Sequence, residues 1–273
     1  MKASSPLPAS LIADWRRGCA AAALLPLVVA AAARLGGVSL SWRWLIAAWL
    51  GIAYVAWRVW RWLPANRPPE PGGEVYPRLG WGNALSCFRG ALLALVAAAG
   101  LTGEGLARPG LAVTASLYAL AASLDLADGY LARRTGRVTL LGQWLDLHLD
   151  GWGVFWASWA AVRSGQMPFW FLAVGLARPG YVLYENWLRH RRRGPGPWPP
   201  SPWRRPLAGA MMVVLAVVLL PWLHPPLTTW LGAAVTGPFL LHFAFDAWAV
   251  RGRASAPEPS ESASASGPRG VYF

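Results

Sequence analysis

Eight apolar stretches of bilayer length, joined by short connections of which every second one is rich in arginine, constrain this chain more than any other feature. A helix needs roughly 17–25 mostly apolar residues to cross a bilayer. Such stretches run over 18–35, 41–62, 83–102, 110–132, 139–162, 167–188, 207–223 and 227–250. The first has no small-residue cleavage site followed by a soluble domain, so it reads as a retained helix. Composition points the same way: 55 % of the 273 residues are hydrophobic and 14 % charged, against about 25 % charged in soluble domains. The apolar content is too high for a disordered chain. The only cysteines, Cys19 and Cys87, lie in or beside apolar runs and exclude a secreted disulfide scaffold. Nineteen tryptophans suit the membrane–water interface.

The net charge of +13 fixes an expected orientation. Apart from Lys2 every basic residue is arginine, and the arginines gather before the first stretch and after the second, fourth, sixth and eighth. The alternate connections, such as Gly36–Leu40, are nearly bare. Positive charge marks the cytoplasmic side, so the pattern predicts eight spans with both termini cytoplasmic. The run Arg189 and Arg191–Arg193 reads as an orientation or lipid-headgroup signal, and nucleic acid is not expected as a partner. The expected fold class is an all-α polytopic membrane protein. Its expected divisions are an accessory region with two helices (1–62), a Pro/Gly-rich cytoplasmic linker or hinge (63–78), a six-helix membrane domain (79–253) and a disordered tail (254–273).

Carboxylates at membrane depth are costly and signal function. Four of the six aspartates, Asp125, Asp128, Asp146 and Asp150, fall within 26 residues at the junction of the fourth and fifth stretches. Asp125 and Asp128 share a helix face, which Gly129 and Ala132 continue as small residues. On the next helix Gly142, Asp146 and Asp150 recur every four residues, and the intervening turn predicts two opposed antiparallel stripes. Four converging carboxylates repel unless cations neutralise them. An all-oxygen ligand set favours magnesium or manganese. Magnesium shares its coordination sphere with phosphates, so a phosphorylated substrate is expected. Glu104, Glu185 and Asp246 read as single boundary charges, and His148, off the aspartate stripe, as a packing or interface histidine.

The string D-x2-D-G-x2-A-R-x8-G-x3-D-x3-D, complete here as Asp125, Asp128, Gly129, Ala132, Arg133, Gly142, Asp146 and Asp150, resembles the motif of the CDP-alcohol phosphotransferase family. Asn83-Ala-Leu85-Ser86-Cys-Phe-Arg89 is similar to the opening of that family's first core helix. The resemblance covers about 79–250. It implies that Asp125, Asp128, Asp146 and Asp150 bind metal, two magnesium or manganese ions in all, and that Asp150 is the catalytic base. Gly129, Ala132, Arg133, Gly142, Asn83, Ser86 and Arg89 would bind CDP. A phosphatidyl group would pass from CDP-diacylglycerol to a small polar alcohol with release of CMP, in a homodimer at the cytoplasmic face of a bacterial inner membrane. Arg178 stands in a stretch similar to one in phosphatidylglycerophosphate synthases, which implies glycerol 3-phosphate as acceptor, with inositol phosphate as the alternative. It could equally pair with Asp246 or Glu185, and Pro179 beside it should kink or unwind its helix. Those synthases read D-P-x-x-D-K where this chain reads Asp146-Leu-His148-Leu-Asp150-Gly151. An intramembrane prenyltransferase and a cation-binding transporter are the alternatives from other classes.

Overall fold

The computed structural model describes residues 6–70, 72–134, 138–191 and 202–254. Among them lie eight α-helices and no strand: α1 (Ala9–Leu35), α2 (Trp42–Trp62), α3 (Trp81–Thr102), α4 (Gly110–Arg134), α5 (Leu140–Arg163), α6 (Leu172–His190), α7 (Arg204–Val218) and α8 (Leu227–Ala254). Arg137, Arg192, Arg193 and the tail from 255 onward lie outside the described residues.

α3 is the axis of the bundle. It packs against α2, α4 and α5, and every residue from Gly90 to Gly100 is buried. A helix that is apolar on all sides belongs in the interior. Its end is set locally. Gly103 adopts φ +81° and returns its N–H to the Ala99 carbonyl, the left-handed termination that favours glycine. Arg163 at the end of α5 donates to the Gly100 and Leu101 carbonyls, each at 3.0 Å. α5 begins at Thr139, whose hydroxyl accepts the Gly142 N–H at 3.0 Å, an N-cap that satisfies one of the helix's orphan donors. At α2 the cap Ser41 is itself held by Glu104, which accepts from both the Ser41 N–H and hydroxyl at 2.6 Å. Glu104 thus ties the α3–α4 connection to the start of α2, near the positive end of that helix's dipole.

Helix boundaries depart from the apolar stretches where polar residues are helical too. α1 starts nine residues before the apolar run, and this first part is anchored by fully buried Leu11 and by Asp14, which accepts from Arg78 at 3.0 Å and from the Leu79 N–H at 3.3 Å. α6 begins later than expected, after a short 3-10 turn at Phe169–Phe171, and runs through Pro179 without unwinding. α7 ends early, at Val218.

Among the described residues of 63–78 there is a 3-10 turn at Leu63–Ala65 and no α-helix, and hydrogen bonds tie the segment to the core. Buried Asn66 donates to the Tyr76 and Arg78 carbonyls, and the Arg67 carbonyl accepts the first N–H of α5, Leu140, at 3.0 Å. Those links fold the segment back on itself and clamp it beneath α5.

Among the described residues three helices, Ala9–Leu35, Trp81–Thr102 and Leu227–Ala249, are long and apolar enough to cross a membrane, and α4 and α7 carry shorter apolar portions. The others hold the ionisable residues and tryptophans that lower mean hydropathy. Large apolar side chains such as Leu50, Leu183, Leu241 and Trp248 face outward, as lipid-facing positions require.

Candidate active site

The motif aspartates come from two helices that scarcely touch: α4 and α5 make few mutual contacts, while α3 packs against both. Arg89 of α3 stands between Asp125 on α4 and Asp146 and Asp150 on α5. Its guanidinium pairs with Asp125 on α4 through Nη1, and through Nη2 lies 3.5 Å from Asp146 and 3.4 Å from Asp150 on α5. Arg89 is 3 % exposed, whereas the three carboxylates are 26, 40 and 35 % exposed. The positive charge is walled in behind a carboxylate rim that stays open. The Ser86 hydroxyl, one turn before Arg89, lies 3.2 Å from Asp146 Oδ1. The side chains of Asp128, Gly129, Ala132 and Arg133, on the last turns of α4, lie outside the described residues.

Asn83 and Gly142 form the joint between α3 and α5. The Asn83 amide donates to Asn66 Oδ1 and to the Leu79 carbonyl, both at 2.9 Å, and its Oδ1 accepts from the Thr139 hydroxyl at 3.1 Å. A Cβ at Gly142 would stand 2.7 Å from Asn83 Oδ1, so this position must be glycine for the two helices to meet here. One buried amide thereby connects the linker, α3 and the cap of α5.

Asp150 also opens onto a second cavity, walled by α5, α6, α7 and α8 and lined by Gly151, Arg178, Arg204, His242 and Asp246. Arg178 lies across α5 at Gly151, where an added Cβ would stand 2.4 Å from its Cδ. Asp246 pairs with Arg204 of α7 at 2.9 Å. Sequence spacing did not single out Arg204, His242 or Gly151 for the site, nor Tyr118, whose buried hydroxyl finds no partner among the described residues beside Arg89, Asp125 and Asp150. The i, i+4 spacing of His242 and Asp246 was the available signal. His148 turns to α2, with Nε2 3.0 Å from the Tyr54 hydroxyl and its ring edge-on to Trp62.

The donor set is chemically suited to a hard divalent cation: oxygen ligands, partly open, with three carboxylates set against one guanidinium among Asp125, Asp146, Asp150 and Arg89. Among the described residues, which leave out the Asp128 side chain, no three His, Cys, Asp or Glu side chains are arranged to hold a metal ion as they stand.

The sequence profile of the CDP-alcohol phosphatidyltransferase family matches residues 80–239, more than half of the chain. No curated protein and no solved structure matches it. The chain belongs to the CDP-alcohol phosphatidyltransferase family, and α3 through α7 with the first part of α8 are its matched core. It is accordingly an integral membrane transferase of substituted phosphate groups in phospholipid biosynthesis, using a CDP-linked donor and an alcohol acceptor in a family that generally depends on divalent metal.

Proposed function

We propose that the enzyme transfers the phosphatidyl group of CDP-diacylglycerol to a small polar alcohol bearing an anionic group, glycerol 3-phosphate first, with inositol phosphate as the second reading. The observation that carries this is the position of Asp150, shared between the Arg89–carboxylate cluster and the cavity that holds Arg178. A base at that junction can reach an acceptor on one side while the donor's diphosphate lies on the other. The Asp150 carboxylate takes the proton from the acceptor hydroxyl. The freed oxygen forms a bond to the phosphorus that carries the diacylglycerol. The bond from that phosphorus to the bridging oxygen breaks, and CMP leaves with the bridging oxygen.

Asp125, Asp128 and Asp146, with Asp150 at the edge, would hold one or two magnesium or manganese ions. Such ions, when bound, offset charge on the diphosphate and on the departing CMP. Arg133 would meet the diphosphate, and Gly129 and Ala132 would let the nucleotide approach the backbone of α4. Ser86 steadies Asp146, and Arg89 keeps the carboxylates gathered before the cation arrives. Arg178, held at Gly151, would clamp the acceptor's anionic group. The arginine pattern supports a site at the cytoplasmic face of a bacterial inner membrane, and the family resemblance supports a homodimer through the core.

The test is CMP release from CDP-diacylglycerol by the purified protein with magnesium, in separate reactions with glycerol 3-phosphate, inositol 1-phosphate, inositol and serine. Release with a phosphorylated acceptor alone supports the reading. Release with serine or unphosphorylated inositol instead contradicts the role given to Arg178.

A further inference from the structure

Two polar residues that line the cavity beside Asp150, His242 and Asp246, lie past the last position of the family match, residue 239. Asp246 and His242 lie one turn apart on α8, with Arg204 of α7 beside them. The Asp246 side chain is 5 % exposed, and its Oδ2 accepts from Arg204 Nη2 at 2.9 Å. Its Oδ1 is buried and has no hydrogen-bond partner among the described residues. His242 Nε2, 3.6 Å from Oδ2 and beyond hydrogen-bond reach, is likewise buried and unpartnered among them. A buried carboxylate oxygen without a donor is unfavourable. This one borders a cavity continuous with Asp150, so a molecule entering there can complete it.

The chemistry of that molecule follows from the charges around it. An ammonium would satisfy Oδ1, but it would enter beside Arg204, already bonded to the same carboxylate, in a cavity that Arg178 also lines. Like charges so close disfavour it. A hydroxyl carries no charge, can donate to Asp246 Oδ1, and can accept from an Nε2–H of His242. We propose that Asp246 and His242 recognise a non-reacting hydroxyl of the acceptor, so that the acceptor is a phosphorylated polyol gripped at its anionic group by Arg178 and at a hydroxyl by Asp246. Arg204 is a positioning residue that holds the Asp246 carboxylate through Oδ2 and leaves Oδ1 for the acceptor. This rests on the transfer reaction proposed above and narrows its acceptor class.

The test uses the full-length enzyme and two acceptors that differ by one group: sn-glycerol 3-phosphate, and 3-hydroxypropyl phosphate, which lacks only the middle hydroxyl. Myo-inositol 1-phosphate and serine are run beside them. The wild type should favour glycerol 3-phosphate, or inositol 1-phosphate in its place, over the hydroxypropyl compound by about tenfold or more in kcat/KM. Asp246→Asn and His242→Phe should each bring that preference to within about threefold, acting on the acceptor KM and leaving the KM for CDP-diacylglycerol unchanged. Equal use of the two phosphates by the wild type, retention of the preference in both variants, or a preference for serine would overturn the inference. Calorimetric titration with glycerol 3-phosphate and inositol 1-phosphate separates the two proposals. Binding that is lost in the folded His242→Phe protein, without CMP release by the wild type, would sink the transfer reaction and leave this site standing. No binding of either polyol phosphate by the wild type would sink this site.

Discussion

On its Arg89 side Asp150 belongs to a cluster in which three helices contribute charges, the cation is buried and the carboxylates stand at the rim. On its other side the order is reversed: Asp246 is buried, while Arg178 and Arg204 lie along the wall of a cavity. The first arrangement suits a cation arriving with a diphosphate, because the rim oxygens face out. The second suits a ligand with its own anionic group and a hydroxyl to give. One bundle thus carries opposite electrostatics on two sides of one carboxylate, and the proposed reaction would use both. An exposed ion pair such as Arg17–Asp14, by contrast, contributes little.

Each side can be disabled without the other. Removal of divalent cation with a chelator should abolish CMP release, a fall of about 10³-fold or more, while circular dichroism shows the helices intact. Release that continues without divalent cation would remove the metal from the donor side. Arg89→Ala removes the buried guanidinium from three carboxylates that stay partly exposed, and should cost about 1–3 kcal/mol. Thermal unfolding in detergent reads this, and magnesium should restore part of the loss if the carboxylates hold it. Gly151→Ala is the corresponding stroke on the acceptor side, since its Cβ would meet Arg178 Cδ at 2.4 Å. It should raise the acceptor KM by about tenfold with little change in the donor KM. Thr139→Val removes the α5 cap and its bond to Asn83. A loss of about 1 kcal/mol is expected, seen as a lower melting temperature with both KM values nearly unchanged.

The carboxylate cluster proposed as the donor side is largely legible in the amino-acid sequence, and the cavity proposed as the acceptor side is not. Asp125 through Asp150 lie within a short span of sequence at helical spacings, so periodicity brings them forward as candidates. Arg89 is 36 residues from Asp125, and nothing local says that α3 runs between α4 and α5 instead of beside them. Asn83 resembles a nucleotide contact in its motif, yet its amide is fully engaged in joining Asn66, Leu79 and Thr139. The linker's proline and glycine content correctly argues against a helix, but such composition carries no information about Asn66 anchoring it. The acceptor cavity needs residues from four helices, Asp150 to Asp246, and exists only once they pack. The helices themselves are readable from apolar length, except where amphipathic turns extend them, as in α1.

Asp150 stands where proton transfer would join two otherwise independent binding sides, and one pair of measurements on Asp150→Asn addresses that role. CMP release by the variant is followed together with its CDP binding in magnesium by calorimetry. CDP affinity should stay within about threefold of wild type while the rate falls by about 10³-fold. An Asp150→Asn enzyme that binds CDP normally and still releases CMP at a rate near wild type would contradict a proton-transfer role for this residue.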